Sequence, residues 1–436
     1  MDTLLKKIVL SILFVSLCCV TSIEAKTFKV ASYNVENLFD LTRGGTEYAG
    51  YIPNTRYGWT RDIANIKYTN IAKVIKNMGA DVVVLEEVES KRALIYLRNR
   101  LRNLDMDYPY LEIADSRATS VKCAVLSKFA IVGKKEIYVD NEAARNIFKI
   151  TLDIDGNRFI LFINHWKSKR GPESMRIAYA KALRKEIDKL KEYTDFILIG
   201  DFNSNYNEYK TFQNHRRLND TNGITGINHI LRTIKDSKMV NETILTKQAS
   251  NTYLYNLWLE IGKNSRWSYI FHGVKASPDN IIVSKGLYDN RGISYIDNSF
   301  DKFISDYLFK GNAIYRWQRT QNGRGRHMGK GYSDHLPVFA SFSTQPFHFK
   351  NDNILSDNIT SLKLGKAKSP QGLLDLNSAT REELISVNGI GPVLSARIIA
   401  GRPYKAIDDL LKVKGIGLKR LKNFRPYLEI APCLNK

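Results

Sequence analysis

Asp201 and Asn203 stand two positions apart in "ILIGDFN", directly behind an apolar run, where a buried strand ordinarily just turns. Other strand-like ends carry comparable residues: Asn34 in "ASYNVEN", Glu87 in "VVVLEEV", His165 in "FINHWKSK", and Asp334 with His335 in "GYSDHLPV". Asp279 in "SPDNIIVS" opens a strand instead of closing one. Any one of these, taken alone, reads as a loop cap. Together they form a consistent chemical set. Glu87, Asp201, Asn203 and Asn34 offer oxygen ligands that suit a hard cation such as Mg2+, Mn2+ or Ca2+, and no Cys/His cluster in the sequence has zinc spacing. His165 and His335 supply groups that exchange protons near neutral pH, whereas the other histidines, as in "QNHRR" and "PFHFK", read as packing or surface residues. A divalent ion that neutralises a phosphate, beside two imidazoles that activate water and protonate a leaving oxygen, is the equipment of a phosphoester hydrolase.

The elements that must position these residues are short. From residue 27 to about 343, runs rich in Val, Ile and Phe alternate with helical stretches: "TFKVASYNV", "DVVVLEEV", "CAVLSKFAIVG", "IFKITLDI", "RFILFINH", "DFILIGDFN", "NIIVS" and "LPVFASF". The pattern predicts a large α/β domain. Its best helix spans 172–193, with Pro172 at the start and Tyr179, Leu183, Ile187 and Leu190 at helical spacing. About 75 residues separate Asn203 from Asp279, including the aromatic "NTYLYNLWLEIGKNSRWSYIFHG", which reads either as core packing or as a substrate-contacting insertion. Residues 344–372 lose the periodicity and gain Asn, Ser, Lys and Pro, as a linker does, and from 373 onward the pattern is helical only.

Composition sets the wider limits. A chain of 436 residues with 43% apolar and 25% charged residues has room for one large core and a smaller module. The balance of 66 Lys+Arg against 44 Asp+Glu, a net charge of +22, favours acidic partners such as nucleic acid or an anionic membrane surface. At the N-terminus, Lys6 and Lys7 precede the apolar run "IVLSILFVSLCCV" and then "TSIEA", the pattern of a signal peptide cut after Ala25. The apolar run is short for a membrane span, so no stable anchor is expected after cleavage and the mature protein is placed in the periplasm or outside the cell. Cys18 and Cys19 leave with the signal, and Cys123 and Cys433 fall in different modules, so no structural disulfide is expected.

The ordered set "SYNVENLFD", "VVVLEEV", "NHWKSK", "GDFN", "PDNIIVS" and "SDHLPV" resembles the endonuclease/exonuclease/phosphatase superfamily, the DNase I-like fold, over residues 28–343. The resemblance implies an α/β four-layer sandwich, two mixed β-sheets face to face and flanked by helices, with the site at one edge. It implies a metal-binding Glu87, with Asn34 near metal and phosphate. Asp201 and Asn203 match the pair that orients the attacking water and the scissile phosphate. His165 and His335 match the catalytic histidines, and Asp279 the carboxylate that holds His335. Asp334 lies beside that histidine, within reach of the metal, and Arg145 in "AARNIFKI" matches a phosphate-contacting arginine. This chain departs from the family in having Glu86 where Gln commonly precedes the metal glutamate, which adds a negative charge; the carboxylate partner of His165 is not marked in the sequence, Asp115 being one candidate.

Relatives on such a fold act on DNA, inositol phosphates and sphingomyelin, so the substrate has to be argued from elsewhere. Residues 373–436 contain two copies of helix, glycine turn, helix, the turns being Gly389-Ile390-Gly391 and Gly415-Ile416-Gly417 at 26-residue spacing. This resembles the small all-α, paired helix-hairpin-helix module of DNA-uptake receptors, repair nucleases and ligases, in which turn N–H groups bind a DNA phosphate without reading sequence. Lys412, Lys414, Lys419, Arg420 and Lys422 surround the second copy. The whole reads as a signal peptide (1–25), a catalytic domain (26–343), a linker (344–372) and a DNA-binding domain (373–436). The expected protein is a secreted, monomeric, divalent-metal-dependent endonuclease that hydrolyses DNA without strong sequence preference, with RNA as a second substrate. The competing readings are a secreted phosphatase or sphingomyelinase, against which the sequence shows no clear apolar loop, and a non-catalytic DNA-uptake protein.

Overall fold

A computed structural model of the chain describes residues 26–141, 144–345, 373–380, 383–384, 387, 390, 392–413 and 415–430. The expected signal peptide, most of the expected linker, Gly389, Gly391, Lys414, the side chain of Lys419 and Cys433 lie outside the described residues. Along the large domain run β1 (Thr27–Leu38), α1 (Arg61–Met78), β2 (Val82–Val88), α2 (Lys91–Arg102), β3 (Tyr110–Ile113), β4 (Lys122–Ser127) and β5 (Ala130–Ile137). Then follow β6 (Ile147–Ile154), β7 (Asn157–His165), α3 (Glu173–Ile187), β8 (Phe196–Asp201), β9 (Asp279–Val283) and β10 (Val338–Ser343), with shorter pieces between them.

Two mixed sheets form. One has seven strands, with β10, β1, β2, β4 and β3 in that order and Ser294–Tyr295 and Asp301–Lys302 beside β10. The other has six: Tyr255–Asn256, β9, β8, β7, β6 and β5. Side-chain alternation dictates how they stack. Phe28, Val30, Val82, Val84, Cys123 and Val125 of the first sheet meet Phe148, Ile150, Leu161, Ile163, Ile197, Ile199 and Ile281 of the second in one buried layer. The opposite faces are covered by helices: Ala31, Val83 and Leu85 pack on Ala64, Ile71 and Ile75 of α1, while Phe162, Phe196 and Leu198 pack on Tyr179, Leu183 and Ile187 of α3. Burial of each such side chain contributes roughly 1.5–3 kcal/mol, and the four layers are the arrangement the alternation predicts.

Two expected elements come out differently. The run "CAVLSKFAIVG" is divided between sheets, β4 in one and β5 in the other, with Ser127 Oγ bonded to both the N–H and the C=O of Phe129 at the crossing. The helix from Pro172 ends at Ile187, not 193, because the chain must turn to enter β8; Leu190 N–H already closes on the Ile187 carbonyl at 2.9 Å. In the C-terminal module, Leu376, Leu394, Ile398, Leu410, Ile416, Leu421 and Phe424 share a small core. The module is not purely helical, since Leu374–Asp375 pairs in parallel with Leu428–Glu429.

Gly200 shows why the chain has a glycine before Asp201. It pairs with Asn164 of β7 on one side and Asn280 of β9 on the other, at a φ of 132°. A Cβ there would sit 2.1 Å from the Asn164 carbonyl oxygen. Gly200→Ala is therefore expected to push β7 and β8 apart and to cost about 2 kcal/mol or more through clash and strained φ. Denaturant unfolding checks this; a wild-type midpoint would contradict the close approach.

Candidate functional site

The inward-facing rows of both sheets end on polar residues at the same edge of the sandwich. Phe159, Leu161 and Ile163 precede His165; Ile197 and Ile199 precede Asp201; Ile281 and Val283 follow Asp279; Phe28, Val30 and Ser32 precede Asn34. Strand register sets them side by side, His165 against Asp201 and Asp201 against Asp279. Glu87 would face the helices with Val83 and Leu85 in a regular strand. The register of β2 shifts between Leu85 and Val88, and Glu87 takes a φ of 67°, which turns it to the site. Such left-handed backbone in a non-glycine residue is held only where surroundings enforce it, and Glu36 and Asn203 share it here.

The question posed by Asp201 and Asn203 has a geometric answer. Asn203 N–H donates to Asp201 Oδ1 at 2.8 Å, and its Nδ2 bridges Asp201 Oδ2 and the Trp166 carbonyl, each at 3.1 Å. The pair makes a turn that locks one carboxylate. Asn34 Nδ2 donates to the same Asp201 Oδ2 at 3.1 Å and to Glu87 Oε1 at 3.3 Å. Because Asn34 Oδ1 accepts the Glu36 N–H at 3.0 Å, Asn34 turns its amide nitrogen, not an oxygen, toward the carboxylates. It spaces the two acids in this arrangement.

The two histidines are not equivalent. His335 Nδ1 faces Asp279 Oδ2 at 2.9 Å, and Ser268 Oγ donates to the same oxygen at 2.5 Å. Burial pulls the His335 pKa down, but the charge and hydrogen bond of Asp279, with Asp201 and Asp334, carry it well above the usual value. His165 is driven the other way by burial, then by Arg145 and His335. Its Nε2 lies 3.7 Å from Asp201 Oδ2 and 3.8 Å from Glu87 Oε1, and its Nδ1 is buried with no hydrogen-bond partner among the described residues. Asp115 does not contact it, so the expected third member of that pair is absent among the described residues. Arg145 instead holds the segment, donating to the carbonyls of His165 at 3.2 Å and Trp166 at 3.0 Å.

The acids differ as well. Burial raises Asp201 to about 6 and Glu87 above the usual range, the latter helped by Asp334. Glu86, bonded to Ser32 in the inter-sheet layer, is pushed well above by burial and by Asp279 and Asp201. Burial thus favours its protonated form, against the negative charge its type led one to expect. Asp334 Oδ2 lies 3.3 Å from Arg316 and is turned to that guanidinium. For a cation, Asp201, Asp279 and His335 bring donor atoms within 4.8 Å of one another. Asp279 and His335 Nδ1 face each other, and Glu87 Oε1 and Asp201 Oδ2, which share the Asn34 amide, stand 3.8 and 3.7 Å from His165 Nε2. An all-carboxylate pair of this kind fits Mg2+ or Mn2+, so the residues present suit a divalent ion.

Several members escaped sequence reasoning. Ser268 belongs to the aromatic insertion, and Tyr269 of the same stretch lies 4.7 Å from the His335 ring, while Tyr255, Leu257 and Trp258 are core. Ser333 donates to the Asn34 carbonyl at 2.6 Å and accepts the His335 N–H at 3.2 Å. Serine and tyrosine in loops carry no distinguishing period.

Residues 29–241 match the profile of the Endonuclease/Exonuclease/phosphatase family, and residues 369–429 match the helix-hairpin-helix motif. The large domain thus carries the match to that family, on a fold of two mixed sheets face to face, and a helix-hairpin-helix motif follows it. Among curated proteins, the chain is 32% identical over 93 residues to a deoxyribonuclease of Thioalkalivibrio sp. (strain K90mix), covering 21% of this chain and 23% of that protein. It is 36% identical over 62 residues to ComE operon protein 1 of Bacillus subtilis (strain 168), covering 13% of this chain and 30% of that one. The chain therefore spans under a third of the length of either curated relative. Among solved structures, humanized D. rerio TDP2 aligns with a TM-score of 0.45 at 13% identity, over 72% of this chain and 98% of that one.

The Asp279–His335 pair makes a direct test of the electrostatics. Asp279→Asn removes the charge that holds the proton on His335, so the imidazole pKa should fall by about one unit or more. NMR titration of the His335 ring measures it, and an unmoved pKa would refute the assignment.

Proposed function

We propose that this protein is a secreted, divalent-metal-dependent nuclease that hydrolyses DNA phosphodiesters without strong sequence preference, acting as a monomer. The observation that carries the reading is the meeting of His335 on its Asp279 partner, His165 and the Glu87–Asp201 pair at one edge of the sandwich. Glu87 and Asp201 would hold the cation, which when bound would supply positive charge to the phosphoryl oxygens. Asp201, locked by Asn34 and Asn203, orients the water. His335, backed by Asp279, holds a proton for the leaving oxygen, and His165 with Arg145 behind it faces the phosphate. Export rests on the Lys6–Lys7 and apolar pattern of the first 25 residues.

DNA is favoured by the second module. Gly415 at a φ of 103° leads through buried Ile416 to Gly417, which opens the helix Leu418–Phe424, and a Cβ at Gly417 would meet nothing within 4 Å. A backbone so exposed suits approach by a phosphate, with Lys419, Arg420 and Lys422 following. One observation favours a lipid phosphoesterase instead. The hairpin Tyr269–Phe271 with Val274–Ala276 presents Phe271 and Val274, 57% and 69% exposed, beside His335, so an apolar loop does exist.

The deciding experiment incubates the protein with plasmid, RNA and sphingomyelin vesicles. Plasmid nicking without sphingomyelin turnover is expected, and the reverse would overturn the reading. Replacing Lys419, Arg420 and Lys422 together by Ala should raise KM on plasmid and flatten the slope of log KM against log salt by about 2 to 3 units.

A further inference from the structure

A cleft of about 790 Å3 adjoins the site, lined among others by Tyr48, Tyr51, Arg170, Arg316, Trp317 and Arg319, with Glu36 and Asn37 of β1 at its floor. It is continuous with the site through Arg316, which is bonded to Glu36 and lies 3.3 Å from Asp334, and through Glu36, two residues after Asn34. We propose that this cleft takes the nucleotides flanking the scissile bond of a polynucleotide, phosphates on Arg170 and Arg319 and a base against Tyr48. The inference rests on the nuclease reading and names the part of the substrate that reading leaves open.

Three features support it. The cleft brings three guanidiniums together with aromatic faces, the pairing that suits alternating phosphates and bases. Its volume suits a nucleotide and far exceeds a single phosphate, and Arg170, Gln318, Gln321 and Asn322 set polar groups beside the aromatic faces. The wall behind it is built rigidly. Phe39 stacks on Tyr51 at 4.5 Å and lies 5.7 Å from Tyr48, Tyr51 meets Trp59 at 5.0 Å, and Trp59 meets His327 at 5.0 Å. His327 accepts the Trp317 indole N–H at 2.8 Å on Nδ1, which leaves Nε2–H for the Gly50 carbonyl at 2.8 Å. Arg319 lies over Tyr51 and Tyr57 at 5.8 and 5.5 Å, and its Nε donates to the Gly325 carbonyl at 2.9 Å. Such a wall loses little entropy when a strand docks on it.

The test measures kcat/KM on a dodecamer oligonucleotide and on bis(p-nitrophenyl) phosphate, a diester too small to reach the cleft. Tyr48 and Arg170 are exposed, so Tyr48→Ala and Arg170→Ala should fold. Each is expected to lower the ratio of the two constants about tenfold. Lys134→Ala, which removes the same charge from β5, should leave the ratio at its wild-type value. A wild-type enzyme that cleaves the oligonucleotide while both cleft variants keep the wild-type ratio overturns this inference alone. A wild-type protein that hydrolyses the small diester but no oligonucleotide overturns the nuclease reading, and this one with it.

Discussion

Everything at the site depends on the period-two alternation of strands whose inner faces are pressed together. Each inward-facing row must be apolar where the sheets touch, because an unpaired charge there would cost several kcal/mol. Only at the end of the layer, where the sheets stop covering one another, do the rows admit His165, Asp201, Asp279 and Asn34. Side-by-side register then converts residues from distant parts of the chain into neighbours without any loop having to place them. The rigidity of the site is the rigidity of the core.

That position also sets the electrostatics. The carboxylates are enclosed enough for burial to raise Glu87 and Asp201, and close enough to His335 to favour its protonated form. His165, facing the same acids from 3.7 Å and 3.8 Å, is kept neutral by burial and by Arg145 behind it. Two imidazoles of one type are thereby assigned opposite tendencies, one to keep a proton and one to lack it, as acid and base chemistry at one pH demands. Glu86 fills the layer beneath, where burial with Asp279 and Asp201 nearby disfavours its charged form.

Much of this was legible in the residues. Alternation and the polar strand ends marked nearly every group that meets at the edge, because a strand displays its facing in its sequence. The turn of Glu87 by a bulge was not legible, since a one-residue register shift leaves no compositional trace. Nor were Ser268, Ser333 and Arg316, which arrive from irregular segments positioned by contacts distant in sequence. The helix end at Ile187 was overrun because Leu190 continues the period after the backbone has already turned.

The central claim is that Glu87 and Asp201 form the seat of a divalent ion, with Asp279 reserved for His335. Mn2+ titrated into the protein near neutral pH, with the free ion followed by electron paramagnetic resonance, tests it most directly. Glu87→Gln should weaken binding by about tenfold or more, as loss of an ionised oxygen ligand does, while Asp279→Asn should bind Mn2+ about as tightly as the wild type. Wild-type affinity in Glu87→Gln, with loss in Asp279→Asn, would contradict the account and place the ion on the Asp201–Asp279–His335 cluster instead.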